Sequence, residues 1–330
     1  MRRRAFIAGL GAASVVPLAT RAQQPDRVRR VGVLLAFDEN DPRGEAEFSV
    51  FTKALVDLGW TLGRNLQMDV RWAGHSIDRM RVLAKELVDL RPEVILAYTT
   101  PATAALQRVT RTIPIVFVIV SDPVGAGFVA SLPRPGGNIT GFINVEAAMM
   151  GKWLELLLEV APDVKRVAIM FNPDTAPSGG SYYLPSFDAA ARLLKVEPIT
   201  APVHDDTEIK TIIDTLGGGP RSGLVSMPDA FTYSHRAPII LQAGRSGVPT
   251  IYQTSDCVRE GGLLSYGPDG GDIFRRAAPY VDRILRGANP TDLPVQLPVK
   301  FEMAVNVKTA KALGLVVPQS ILLSANELIE

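Results

Sequence analysis

Some small hydroxyl and acidic side chains directly follow short apolar runs of strand length, where ligand-contacting groups are expected in an α/β protein. Thr99-Thr100-Pro101 comes just after the run Val94 to Ala97 and reads as a helix start, with Pro suited to the first turn. Hydroxyls beside the free N–H groups of such a start can receive a carboxylate without a formal positive charge. The competing role is that these threonines cap their own helix. Asp229 and Asp256 follow two later apolar runs, so one of these carboxylates could take a ligand ammonium through charge-assisted hydrogen bonds. Their competing role is a turn or a helix cap. A zwitterion would then be held at both ends, by Thr99 and Thr100 on one side and by Asp229 on the other. Asp229→Ala is expected to cost binding and to leave fold stability almost unchanged.

Applied along the whole chain, the same rule selects Phe37, Thr99, Thr100, Ser121, Asp122, Asn172, Asp229, Gln253 and Asp256 as candidate ligand contacts. Phe37, Tyr182, Phe231 and Tyr252 could add apolar or stacking walls, although aromatics at such positions often serve only the core.

Other chemistries find little support. Cys257 is the only cysteine, so no intramolecular disulfide can form, and a packed, unreactive thiol is expected. None of the three histidines, His75, His204 and His235, sits in a nucleophile-partner motif or has the spacing of a zinc site. Gly136-Gly137 and Gly217-Gly218-Gly219 lack the spacing of a phosphate loop and read as turns. No catalytic residue, metal or cofactor is assigned.

The elements that must position the candidates alternate. From Val31 onward, apolar runs of strand length exchange with amphipathic stretches such as Glu45 to Leu58 and Ile77 to Leu90, the mark of parallel α/β architecture. A chain of 330 residues exceeds one ordinary core, and the alternation restarts after the Pro- and Gly-dense stretch Leu132 to Phe142, which reads as a crossover between two lobes. The expected division is lobe one at 28–140 and 264–298, with lobe two, hinge and tail at 141–263 and 299–330.

Residues 1–22 read as an export signal: Arg2, Arg3 and Arg4, an apolar run from Ala5 to Ala19, then Thr20-Arg21-Ala22. Arg3-Arg4-Ala5-Phe6-Ile7 resembles the twin-arginine pattern, and no cysteine follows to carry a lipid. The apolar run is shorter than the ~20 residues that span a bilayer. Removing the signal takes four arginines and no acid, leaving 31 basic against 34 acidic side chains, a balance that disfavours nucleic acid. With 47% apolar and 21% charged residues over its full length, the chain has the composition of a soluble globular protein.

Several segments together carry a family resemblance: Ala54-Leu55-Val56-Asp57-Leu58-Gly59-Trp60 with Gly63-Arg64-Asn65, Asp122-Pro123-Val124, Pro135-Gly136-Gly137-Asn138-Ile139-Thr140-Gly141, and Val305-Asn306-Val307-Lys308-Thr309-Ala310-Lys311-Ala312-Leu313-Gly314. In this order and spacing they resemble the ABC-transporter substrate-binding family that includes tryptophan-binding members. The resemblance implies a type I periplasmic-binding-protein fold: two flavodoxin-like lobes, each a parallel sheet flanked by helices, joined by a multi-strand hinge. It further implies a periplasmic monomer that closes on a small, amino-acid-like or carboxylate-bearing ligand and presents it to an ABC permease in the inner membrane. A ligand-sensing module for a membrane receptor, or an enzyme on the same fold, are the alternatives.

Overall fold

The computed structural model describes residues 27–219 and 221–330, so the export signal read at residues 1–22 lies outside the described residues. The first lobe runs β1 (Arg29–Leu35), α1 (Pro42–Asp57), β2 (Leu66–Trp72), α2 (Ile77–Asp89), β3 (Val94–Tyr98), α3 (Thr100–Val109), β4 (Ile115–Val120) and β5 (Ile139–Ile143). Its strands stand in the order β2-β1-β3-β4-β5 and all pair parallel. Helices cover both faces of such a sheet, which is why β3 is buried throughout and made of unbroken apolar residues. Helix starts are written locally: Asp41 Oδ1 accepts from the Gly44 N–H at 2.9 Å ahead of α1, and Ser76 Oγ accepts from the Arg79 N–H at 3.3 Å ahead of α2.

The second lobe contains α4 (Met149–Val160), β6 (Arg166–Phe171), α5 (Leu184–Leu193), β7 (Glu197–Pro202), α6 (Asp206–Gly217), β8 (Ser222–Ser226), α7 (Ala230–Ser234), α8 (Arg236–Arg245), β9 (Thr250–Tyr252), α9 (Ser255–Arg259) and β10 (Leu264–Pro268). The order β7-β6-β8-β9-β10 repeats that of the first sheet. After α10 (Gly270–Leu285) the chain adds β11 (Phe301–Asn306), α11 (Val307–Ala312), α12 (Gln319–Ser324) and β12 (Glu327–Ile329). Here the second sheet departs from a purely parallel one: β11 pairs antiparallel with β10, and β12 pairs parallel with β11.

Three crossings join the lobes, and two fall elsewhere than expected. The Pro- and Gly-dense stretch Leu132 to Phe142 ends inside the first lobe, because residues 139–143 form β5 against β4. Gly141 belongs to that strand contact: a Cβ there would lie 2.0 Å from the Phe117 carbonyl oxygen, so only glycine lets the backbones approach. The first crossing therefore follows Ile143. Residues 264–268 pair with β9 and β11 in the second sheet, so the return to the first lobe comes after Pro268. There α10 buries Ile273, Phe274, Ala277, Ala278 and Val281 in the first lobe's core. The third crossing begins at Gln296, which is tied to β5 by Ile143 N–H to Gln296 O at 3.0 Å and Gln296 N–H to Gly141 O at 2.9 Å.

Candidate functional site

Strand order reverses between β1 and β3 in one sheet and between β6 and β8 in the other, and such switch points open crevices at the carboxyl ends of the strands. Loops from both crevices meet around an interlobe cavity of about 60 Å³.

On the first-lobe wall, Thr99 precedes α3 with φ +82°, a conformation that L residues rarely adopt. Its side chain makes no cap bond, and its buried Oγ1 has no hydrogen-bond partner among the described residues. Capping is therefore not what this hydroxyl does. Thr100 Oγ1 accepts weakly from the Ser121 N–H at 3.4 Å. Ser121 Oγ accepts from Tyr183 Oη at 3.0 Å and donates to Asn144 Oδ1 at 2.8 Å. The Val145 N–H also donates to that Oδ1, at 2.7 Å, which fixes the amide orientation and leaves Asn144 Nδ2 as the group for the cavity. A bulge in β4 between Val118 and Val120 places Ile119, at φ +56°, on the same wall.

Asp229 forms the second-lobe wall together with Thr175, Gln253, Thr254 and Tyr233. Its carboxylate accepts from the Thr232 N–H at 2.9 Å, Thr175 Oγ1 at 3.0 Å and the Asn172 N–H at 3.2 Å. Burial pushes its carboxyl up to about 6, against the pull of those hydrogen bonds. Asp229 is thus both the cap of α7 and a cavity group, which corrects the expectation that Asp229→Ala would hardly touch stability. Alanine would uncap α7 and strand two buried N–H donors, at a cost of about 1 to 3 kcal/mol.

Arg43, in the first turn of α1, spans the cleft. Its Nε donates to Glu47 at 2.8 Å, its Nη1 donates to Asp256 of the second lobe at 3.1 Å, and its guanidinium lies 5.3 Å from the Tyr233 ring centre. Arg236 covers Tyr233 as well, at 4.6 Å, and burial pushes the Tyr233 phenol up to about 12. His75 approaches the same ring at 5.8 Å, and burial lowers its pKa, which favours the neutral imidazole. Beside the cavity, Ser178 Oγ donates to Asp122 Oδ2 across the cleft at 2.8 Å. The lobes are therefore in contact around the site.

The structure brings Thr99, Thr100, Ser121, Asp229 and Gln253 onto the cavity. Phe37 lies behind it, fully buried and stacked on Tyr98 at 4.4 Å. Asn172 is a buried turn residue whose Oδ1 accepts from the Asp174 N–H at 2.8 Å. Asp122 and Asp256 are engaged in contacts between the lobes rather than lining the cavity. Of the proposed aromatic walls, Tyr182 packs on Tyr183, Phe231 stacks on His235 at 3.8 Å, and Tyr252 belongs to the second lobe's core. The cavity takes its aromatic rings from Tyr98 and Tyr233 instead.

Sequence reasoning missed Arg43, His75, Tyr98, Asn144, Thr175 and Tyr233. Asn144 follows β5 and would have been found had 139–143 been read as a strand. Tyr98 ends β3, and Thr175 lies just past Asn172-Pro173-Asp174. Arg43 and Tyr233 lie on helices, where no strand-end rule points.

Two lobes of one topology that meet around a cavity at paired switch points have the architecture of a two-lobed ligand-binding fold. Residues 33–329 match the family described as ABC transporter substrate binding protein, and the chain belongs to that family. It is 27% identical over 266 residues to the tyrosine-binding protein of Clostridioides difficile (strain R20291), covering 80% of this chain and 75% of that one. A Streptococcus pneumonia ABC domain solved in complex with L-Trp superposes with a TM-score of 0.83 at 23% identity, covering 92% of this chain and 100% of that one. The ligand-free, open structure of CD0873, a substrate binding protein with adhesive properties from Clostridium difficile, superposes with a TM-score of 0.70 at 25% identity, covering 92% and 99%. Among the described residues no helix is long and apolar enough to cross a membrane, and no group of three or more His, Cys, Asp or Glu could hold a metal ion.

Proposed function

We propose that the chain is the binding component of an ABC importer and takes up an α-amino acid by closing its lobes over it. The observation that carries this reading is the polarity of the cavity. An unpartnered Thr99 hydroxyl at an uncapped helix start faces it from one lobe, and the Asp229 carboxylate faces it from the other. The ligand carboxylate goes to Thr99, Asn144 Nδ2 and the first turn of α3, and its ammonium goes to Asp229 and Thr175. Related proteins named for tyrosine and for bound L-Trp support an amino acid. Hinge closure is supported by the higher TM-score to the L-Trp complex than to the open, ligand-free relative at similar identity. Binding energy then selects the closed form, which an inner-membrane permease recognises. Periplasmic location, export through the twin-arginine route and a monomeric state belong to the same proposal, as does binding without turnover.

Calorimetry and thermal shift against the amino acids, their 2-oxo acids and their decarboxylated amines test it. A ligand at ~100 times its Kd adds about 2.7 kcal/mol of stability. Losing either charged end is expected to weaken binding by about ten- to a hundredfold. Stabilisation by polyols or sugars alone would overturn the assignment.

A further inference from the structure

A second chamber, of about 140 Å³, abuts the first, and Arg43, Gln253 and Thr254 line both. Its other walls carry Glu47, Asp256, Asp269, Glu302 and Arg259. The four acids outnumber the two bases; from outside the chamber Glu327 pairs with Arg259 at 2.7 Å and Lys300 pairs with Asp269 at 2.6 Å and lies 3.8 Å from Glu302, so the excess of acids remains. Two of its walls pack too closely for any residue but glycine. A Cβ at Gly267 would stand 2.0 Å from the Gln253 carbonyl oxygen, and one at Gly270 would stand 2.0 Å from Glu47 Oε1. Glu47 is 6% exposed; Oε1 holds Arg43, while the buried Oε2 has no hydrogen-bond partner among the described residues. A buried carboxylate oxygen left unpaired is costly, and a donor from a ligand relieves that cost.

We propose that this chamber is a specificity subsite for the far end of the ligand's side chain, and that it selects an end that donates a hydrogen bond: a hydroxyl, an ammonium or a guanidinium. The inference rests on the amino-acid reading above, in which the main cavity holds the two charged groups on Cα; the side chain then has its way into this chamber past the shared walls Gln253 and Thr254. An apolar end leaves Glu47 Oε2 unpaired, and a carboxylate end meets an excess of acids. Matched pairs differing only in the donor therefore separate sharply, because a site built to hydrogen-bond its ligand rejects the analogue that lacks the group.

Competition calorimetry on the full-length mature protein, with tyrosine against phenylalanine and lysine against norleucine, reads the effect directly. At least one donor-bearing member is expected to bind about ten- to a hundredfold more tightly than its partner, and the winning pair identifies the donor. Glu47→Gln puts an amide N–H2 where Oε2 stood, and it is expected to shrink that ratio towards one. If phenylalanine equals tyrosine and norleucine equals lysine in the parent protein, the subsite is overturned while the zwitterion site stands. Absence of binding by every amino acid would instead sink the proposed function. A preserved ratio in a folded Glu47→Gln variant would also overturn the role given to Glu47.

Discussion

Asp229 should make ligand binding pH-dependent in a defined window. Burial raises its carboxyl from 3.8 to about 6, so in the folded protein it keeps a proton to higher pH than in the unfolded chain. Holding the ionised form in place costs roughly 3 kcal/mol, at about 1.4 kcal/mol per unit of pKa. That penalty is fully present above pH 6 and is relieved as pH falls from about 6 towards 3.8, so this group makes the fold relatively more stable in mild acid. Binding runs the other way. A ligand ammonium needs the carboxylate, so affinity should be level from pH 7 to 8 and then fall about tenfold per unit below 6. Asp229→Asn keeps an acceptor for the Thr232 N–H but sets a donor against the Asn172 N–H, losing one hydrogen bond while removing the buried charge. Its stability at pH 7 should stay within about 1 kcal/mol of the parent. Its affinity should be about ten- to a hundredfold weaker and flat between pH 5 and 8, which separates Asp229 from His75, the other titrating group on the cavity. Calorimetry at half-unit pH steps on both proteins is the assay. A parent Kd that does not change between pH 7 and 5 would refute the ammonium contact.

Thr99→Gly should raise the melting temperature, because it relieves a left-handed threonine worth ~1 to 3 kcal/mol of strain, and should weaken ligand binding by removing the hydroxyl; unchanged affinity would return Thr99 to a purely local role. Cys257 is buried, with its thiol pushed up to about 11 by desolvation, so native protein at pH 8 should resist alkylation and react on unfolding. Rapid stoichiometric labelling of the native state would contradict that. Replacing Arg3 and Arg4 with Lys should hold the precursor in the cytoplasm, and equal periplasmic yield would point to the general secretory route.

Fold class was readable because the strands of this architecture are buried on both faces and announce themselves as apolar runs such as Val94 to Ala97. The crossings were not. Ile139 to Ile143 sits among Pro and Gly and looks like a linker, yet its glycine serves a close strand contact, and only the pairing with β4 reveals it. At the candidate site, the rule of strand ends points to Thr99 and Asp229, which line the cavity, because switch-point geometry depends on topology alone. It does not say which way a side chain turns: Phe37 turns inward to stack on Tyr98, and Asp256 turns from the main cavity to two arginines beside the second chamber. Arg43 was invisible to it, since its contact with Asp256 spans 213 residues of sequence.

The cleft also gathers much of the chain's backbone strain: His75, Thr99 and Ile119 line the cavity, and Asp122 and Ser178 meet beside it, all with positive φ. On the proposed function, the sheets hold these loops in place before the ligand arrives, so affinity need not be spent on ordering them. The direct bonds between lobes are few. Arg43–Asp256 is about four-fifths buried, Tyr183–Ser121 is buried and Asp122–Ser178 is exposed, so together they are worth about 2 to 4 kcal/mol. On the proposed mechanism the free protein therefore lies within a few kcal/mol of balance, and the ligand's differential affinity decides closure. Asp256→Asn should shift that balance towards open by a factor of roughly two to five, weakening apparent affinity by the same factor. Small-angle scattering should show a larger radius of gyration in the ligand-free variant and the parental value at saturation. A loss of a hundredfold or more would mean that Asp256 touches the ligand itself. A lowered melting temperature with unaltered radius and affinity would show that the Arg43–Asp256 pair stabilises the fold without biasing the hinge.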